Sequence, residues 1–250
     1  MVAPNGARLT KADHPAIPLT LDEIVQAAAA CQAEGAGGLH LHLRDADGRH
    51  LLDSGAYREA LDELALQCPG LAVQITTEAA GIYGPARQRR VALGTGAAMA
   101  SISLREMLRA PGAAEFYRAC AGQGIAVQHI LYDLADAGAL IRTLPDDMLA
   151  DPALQLIFVL GRYTDGQVSS PRDLDPFLDW LARSGLAPDW AVCAFGPAET
   201  DCLTHAAGAG GKCRIGFENS RMNRDGSIAA SNAERVRELV SILKPMPLAG

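Results

Sequence analysis

"GGLHLHLRDADG" (residues 37–48) places two imidazoles one residue apart inside a short apolar run. Upstream, Thr20-Leu-Asp-Glu23 has the form of a capping box, and IVQAAAACQAE carries a helix on to Gly35. Downstream, Asp47-Gly48 marks a turn. Bounded in this way, Gly38 to Leu43 reads as a buried strand. Alternation along a strand sends Leu39, Leu41 and Leu43 to one face and His40 and His42 to the other, with the two histidine Cα atoms about 7 Å apart. That spacing suits two ligands converging on one metal ion. Two hydrogen-bonded core histidines would give the same pattern.

Similar apolar runs recur along the chain: LAVQITT (71–77), AAMASIS (97–103), GIAVQHILY (124–132), LQLIFVL (154–160), WAVCAF (190–195) and CRIGF (213–217). With the histidine run they make seven, and VAP (2–4) is the stub of an eighth. Helix-sized segments separate them, with helical composition around 55–67, 85–93, 113–121, 171–184 and 199–207, and a capped helix near 231–243. Regular alternation of buried strands and helices predicts a parallel sheet covered on both faces. Eight such units in 250 residues fit an α/β fold of the (β/α)8 TIM-barrel type, a single domain over 1–250. No GxGxxG or GxxxxGK[ST] follows any run, so a dinucleotide or P-loop site has no support.

The composition narrows the function classes. Hydrophobic residues are 49% of the chain, enough for a sizeable core, and the net charge of −7 opposes any broad nucleic-acid surface. Local arginines could still hold small anions. No apolar run approaches the ~18 residues of a membrane span, and MVAPNGARLTK lacks the order of a secretory signal. The six cysteines show no CxxC spacing and read as reduced thiols, so a cytoplasmic location is expected. Cys202 and His205 share a helix face at i, i+3 and read as structural.

In a barrel of this kind, reactive side chains gather at the C-terminal ends of the strands. Those ends carry His40, His42, Thr76, Thr77, Glu78, Ser101, Ser103, Gln128, Cys193, Arg214 and Glu218. Glu218 can complete a His2Glu set, and three protein ligands with one open position is the arrangement of a catalytic zinc. Arg214, four residues earlier, should point inward with Glu218, either toward a substrate or in an ion pair with Glu218 or Asp45. The remaining histidines are His14, His50, His129 and His205, and His129 alone falls within a strand, which counts against a two-metal site.

GLHLHLRDADG, GGKCRIGFENSRMNRDGSIAASNAERV (210–236), ADHPAIPLTLDEI and FVLGRYTDG (158–166) together resemble the β-keto acid cleavage enzymes, the family that includes the 3-keto-5-aminohexanoate cleavage enzyme. The resemblance implies a (β/α)8 barrel, a homo-oligomer such as a tetramer, and one Zn2+ per chain held by His40, His42 and Glu218. It implies that a β-keto acid and acetyl-CoA give acetoacetate and the CoA ester of the remaining acyl part. Matching positions make Thr76 and Ser101 substrate-contacting hydroxyls, with Ser103 close by, and Arg214 the electrostatic partner of an enolate-like intermediate.

Three positions depart from the family pattern. Asn219 stands where the family has an aspartate that takes the substrate proton, and a neutral amide is no general base at pH 7. Arg8 stands in place of a glutamate, and Gln128 and Ile130 replace an acidic pair. Arg8 thus points to a substrate with an extra negative group, or to a structural ion pair. Glu78 is the expected replacement base, with Asp45 as the alternative. Two further functions stay open: a metal-dependent hydrolase or lyase that does not use CoA, and a non-catalytic protein that binds a keto acid.

Overall fold

A computed structural model describes residues 1–244 of the chain. Helix α1 (Leu21–Ala33) starts at the anticipated capping box, with the Thr20 hydroxyl accepting from Glu23 N and the Glu23 carboxylate accepting from Thr20 N. Strand β1 (Gly38–Leu41) follows, then a short antiparallel hairpin of β2 (Leu43–Arg44) and β3 (His50–Leu51) around the Asp47-Gly48 turn. The alternation then runs α2 (Ser54–Gln67), β4 (Ala72–Thr76), α3 (Pro85–Gly94), β5 (Met99–Ser103), the one-turn α4 (Leu104–Met107), α5 (Ala113–Gly122) and β6 (Ala126–Leu131). It continues with α6 (Leu134–Thr143), the short α7 (Asp146–Leu149), β7 (Gln155–Leu160), α8 (Asp175–Ser184), β8 (Asp189–Ala194), α9 (Glu199–Gly208), β9 (Lys212–Cys213) and α10 (Asn232–Leu243).

Seven strands form one parallel sheet in the order β1-β4-β5-β6-β7-β8-β9, so chain order and spatial order coincide. Val2 makes single parallel bridges to Leu39 in β1 and to Ile215 just after β9. Its N–H donates to Gly38 O at 2.8 Å, and Ala3 N donates to Ile215 O at 2.8 Å. The expected eighth strand is therefore a one-residue bridge between the first and last strands of the sheet.

The histidine run departs from the expectation of one continuous strand. β1 stops at Leu41, and His42 lies in the break before the hairpin. The last strand is also shorter than CRIGF: it covers Lys212–Cys213, Arg214 N still donates to Val192 O and Ile215 keeps its single bridge to Val2, and from Gly216 to Glu218 the chain crosses over Ala3. Gly216 makes that crossing possible. Its φ of +143°, outside the range side chains prefer, lets the chain pass so close to Ala3 that a Cβ would lie 2.4 Å from Ala3 O. Helix α6 was not anticipated; its N-cap Asp133 accepts from Asp136 N.

The main core lies between the sheet and the helices, with Leu39, Leu41, Ile75, Ala100, Ile102, Leu131 and Phe158 packed against residues such as Tyr57, Tyr117 and Leu203. His129 belongs to this layer: it is buried, its ring meets Tyr117 edge-on at 4.6 Å, and burial pushes its pKa down to about 3. It is a neutral core histidine on the helix side. Ile130, Ile157, Val159, Ala191, Cys193 and Phe195 form a separate cluster on the inner face. Cys202 and His205 do not act together, since Cys202 Sγ lies 3.6 Å from Ser169 Oγ while His205 pairs with Asp175.

Candidate metal centre and active site

At the C-terminal end of the sheet, β1 delivers His40, the break after it delivers His42, and the crossing after β9 delivers Glu218. The imidazole Nε2 atoms of His40 and His42 face each other at 3.1 Å. Glu218 closes the triangle, with Oε1 3.5 Å from His42 Nε2 and Oε2 3.8 Å from His40 Nε2. One donor atom from each residue lies within 4.8 Å of the other two.

The chemistry of these donors fits a cation. His40 Nδ1 is 2.8 Å from Gln74 Oε1, an acceptor, so Nδ1 carries the proton and Nε2 is left with a lone pair. Burial and Arg214 push the imidazolium form of His40 well below its ordinary range. Burial alone would raise the Glu218 carboxyl, but His42, Arg214 and His40 outweigh it and hold the group ionised. Glu218 Oε2 is nevertheless buried without a hydrogen-bond partner. Ligands of a tetrahedral zinc at about 2.0–2.1 Å stand roughly 3.3 Å from one another, close to the observed separations.

The surrounding shell is built from short-range sequence features. Gln74 also donates to Gln128 Oε1 at 3.2 Å, so β4 and β6 brace His40 through two amides. Gly6, at φ +58°, lets the N-terminal loop lie on Glu218, whose Cγ would be 2.7 Å from a Cβ there. That loop is clamped by Arg44 of β2, whose guanidinium donates to Gly6 O at 2.6 Å, Leu9 O at 3.0 Å and Gly48 O at 2.8 Å. The "SNA" block acts from the other side: Asn232 accepts from Phe217 N at 2.9 Å and donates to Pro4 O at 3.0 Å. It ties the start of α10 to both chain segments that frame Glu218.

A cavity of about 30 Å3 opens over the triangle, walled by Thr76, Glu78, Ile130, Tyr132, Val159, Arg162, Phe195 and Arg214 as well as the three donors. A neighbouring cavity of about 140 Å3 shares Glu78, Arg162, Phe195 and Glu218 and extends to Arg8 and Leu9. Arg214 is buried; its Nη2 donates to Cys193 Sγ at 3.2 Å, and its Nε and Nη1 have no partner. Burial pushes that Cys193 thiol up to about 11. Among the described residues neither Glu218 nor Asp45 lies within 4 Å of the Arg214 guanidinium. Asp45 is exposed and caps the hairpin turn, accepting from Asp47 N and Arg49 N.

Thr76 Oγ1 accepts from Glu78 N at 3.1 Å, fixing the turn that aims Glu78 into the cavity. The Glu78 carboxylate pairs with Arg8 at 3.0 Å and lies 3.8 Å from Arg162. Ser101 and Ser103 are buried on β5 with unpartnered hydroxyls. Asn219 donates to Glu199 Oε1 at 3.1 Å and to Arg214 O at 3.3 Å, which leaves its own Oδ1 free. Of the residues named at the strand ends, Thr77, Ser101, Ser103, Gln128 and Cys193 do not wall either cavity.

Several participants escaped the sequence reading. His50 packs its ring 5.2 Å from that of His42 and bonds Glu78 O at 2.9 Å; burial pushes it down to about 3. Arg162 sits over the Phe195 ring at 5.2 Å. Glu199 and Arg235 form a fully buried pair at 2.9 Å beneath Asn219. The one available signal was the turn before His50, which brings that residue back to the strand end.

The solved ternary complex of ObcA with a C4-CoA adduct and oxalate superimposes with a TM-score of 0.70 at 16% identity, over 92% of this chain and 64% of that one. This chain therefore spans about 64% of that structure, and the likeness concerns the fold. The 3-keto-5-aminohexanoate cleavage enzyme of Fusobacterium nucleatum is 26% identical over 254 residues, covering 96% of this chain and 89% of its own. The 3-oxoadipate:acetyl-CoA acetyltransferase of Cupriavidus necator is 26% identical over 252 residues, covering 96% and 86%. The β-keto acid cleavage enzyme family matches residues 1–248, and the chain belongs to that family.

Proposed function

We propose that this chain is a zinc-dependent enzyme that cleaves a carbon–carbon bond of a β-keto acid and uses acetyl-CoA as the second substrate. The products are acetoacetate and the CoA ester of the remaining acyl part. The observation that carries this reading is the convergence of His40, His42 and Glu218 at the floor of a cavity whose wall includes the free edge of Arg214. The names of the relatives from Fusobacterium nucleatum and Cupriavidus necator agree with it. We read the fold as a one-domain (β/α)8 barrel with Val2 as its eighth strand, acting in the cytoplasm as a homo-oligomer, such as a tetramer.

His40, His42 and Glu218 would hold the zinc, which as a Lewis acid would polarise the keto group of the substrate. Arg214 supplies fixed positive charge beside the position where negative charge develops, and it costs no reorganisation because Cys193 already holds one edge of it. Thr76 and Arg162 line the path into the cavity. Ser101 and Ser103 are proposed as substrate contacts once the neighbouring Gln128 side chain adjusts.

The geometry of the carboxylates supports one of them as the proton acceptor. Glu218 belongs to the metal set, and Glu199 lies fully buried behind Asn219. Glu78 lines both cavities and is the candidate base. Asn219 Oδ1 can accept a hydrogen bond and so orient a protonated group, but it takes no proton.

Metal analysis and a substrate scan test the proposal. The purified protein should carry about one zinc per chain and convert a β-keto acid and acetyl-CoA to acetoacetate and a new CoA ester. Metal-dependent turnover without CoA would instead indicate a lyase or hydrolase. Tight binding without turnover would indicate a keto-acid-binding protein. Light scattering that gives only monomer would rule out the oligomer.

A further inference from the structure

Gln74 fixes the Nδ1 proton of His40, whereas the Nδ1 of His42 is buried without a hydrogen-bond partner. For His42 Nε2 to bind a cation, its Nδ1 must carry the proton, so this orphan is a donor. The ring beside it is that of His50, with centroids 5.2 Å apart. His50 Nε2 donates to Glu78 O at 2.9 Å, because a carbonyl only accepts. The proton of this neutral ring is therefore on Nε2, and its Nδ1 keeps a lone pair. That Nδ1 is also buried without a partner. A buried donor and a buried acceptor thus stand unpaired on adjacent rings, and each costs stability unless it is satisfied.

We propose that His50 is a positioning residue of the metal centre: its Nδ1 accepts the Nδ1 proton of His42, directly or through one water, and leaves His42 Nε2 free for the cation. The inference rests on the zinc set proposed above and deepens it, whichever keto acid is cleaved. Which nitrogen of an imidazole is metallated is set by the hydrogen bond made at the other. In the alternative tautomer of His42 both Nδ1 atoms would carry lone pairs, so an acceptor at His50 selects the form ready for metal. The ring of His50 is itself held. Its backbone pairs with Arg44 across the hairpin, Tyr83 Oη donates to its carbonyl at 3.0 Å, and turning the ring would give up Glu78 O. One imidazole therefore fixes both a proposed metal ligand and the turn that bears the candidate base. The competing acceptor is Asn5 Oδ1, buried and unpartnered, whose amide nitrogen donates to His42 O at 3.2 Å.

Asparagine and glutamine divide the two nitrogens of His50 between them. His50→Asn can set Oδ1 near the place of Nδ1, keeping the acceptor toward His42 and losing the donor to Glu78 O. His50→Gln can set its amide nitrogen near the place of the ring Nε2, keeping that donor and losing the acceptor. Competition titration of the full-length protein with a zinc indicator should show affinity lowered about 10–100-fold in His50→Gln, the usual loss for the partner of a metal-bound histidine, and within about threefold of wild type in His50→Asn. Circular dichroism should show both variants folded. A ring that only braces the Glu78 turn predicts the reverse order or equal losses, and either result overturns the proposal. Histidine NMR spectra of the zinc-loaded wild type should show the His42 proton on Nδ1, protected from solvent exchange, with the protection lost in His50→Gln. A proton unprotected in the wild type, or still protected in His50→Gln because Asn5 holds it, also overturns the proposal. A wild-type protein that binds no zinc refutes the metal set and this inference with it, while zinc bound equally by all three proteins removes His50 alone.

Discussion

Asn219 donates its side-chain amide to Glu199 at 3.1 Å, and Glu199 in turn accepts from Arg235 at 2.9 Å. The residue beside Glu218 is thus wired to a buried ion pair between α9 and α10. The contact fixes which way the Asn219 amide faces and leaves its oxygen available. It also means that an aspartate at this position would meet a second carboxylate.

Asn219→Asp tests the proposal that a carboxylate beside Glu218 would act as base in β-keto acid cleavage. General-base catalysis is worth roughly 10²–10⁴-fold, so a restored carboxylate should raise turnover of simple β-keto acids at least about tenfold. The new group would share a proton with Glu199, because two carboxylates at hydrogen-bonding distance do not both ionise freely. Steady-state kinetics on the variant checks this. An unchanged rate would show that another step, or pocket shape, sets the limit.

Glu199 gives stability a pH dependence whose sign can be worked out. Burial pushes its pKa up to about 7 from an ordinary 4.5, against the opposing pull of Arg235. Between those values the folded chain holds a proton that the unfolded chain has released, so stability falls as pH rises through the window. The change is on the order of 1–3 kcal/mol. Glu199→Gln should flatten this slope in urea unfolding measured from pH 4.5 to pH 8. The slope is the readout, since the substitution also removes the countercharge to Arg235 and lowers stability at the high-pH end. A variant with the original slope would assign the titration to another group.

The metal set makes a graded prediction. His42→Ala removes one of three proposed ligands, and zinc should be lost on dialysis against a mild chelator while circular dichroism stays that of the folded protein. Gln74→Leu keeps all three donors but removes the acceptor that fixes His40 with its proton on Nδ1. Loss of such an outer partner typically costs 10–100-fold in metal affinity. Competition titration with a zinc indicator separates the two variants. Full zinc retention by His42→Ala would refute the ligand assignment.

The histidine pair and Glu218 could be found in the sequence because strand alternation and the position after the last strand are local properties. The alternation βαβα was legible for the same reason, through apolar runs and caps such as Thr20–Glu23. What was not legible depends on how distant segments meet. Whether Arg162 turns into the cavity is decided by Phe195, 33 positions further along the chain. Glu199 at the start of a helix reads as an ordinary solvated carboxylate, and only the fold shows that α10 covers it with Arg235. Gln128 stands at a strand end, and only the fold shows that its side-chain oxygen accepts from Gln74. His50 was set aside as lying off the strands, but the hairpin returns it to His42.

Gly216 offers a test of how the last segment is held. Its φ of +143° and the 2.4 Å between a hypothetical Cβ and Ala3 O leave no room for a side chain, because the obstruction is backbone rather than a movable group. Gly216→Ala should therefore cost more than the ~1–3 kcal/mol of an unfavourable backbone conformation alone, since Ala3 must also move. Ala3 O accepts from Glu218 N at 3.0 Å, so a shift there displaces Glu218, the proposed metal ligand, directly. The expected result is a lower melting temperature together with weakened zinc binding. Gly226→Ala is the control: it also has a positive φ, +86°, but nothing lies within 4 Å of its Cβ. That variant should lose stability while keeping zinc affinity. Equal zinc affinity in both variants would show that the crossing of Gly216 over Ala3 does not position Glu218.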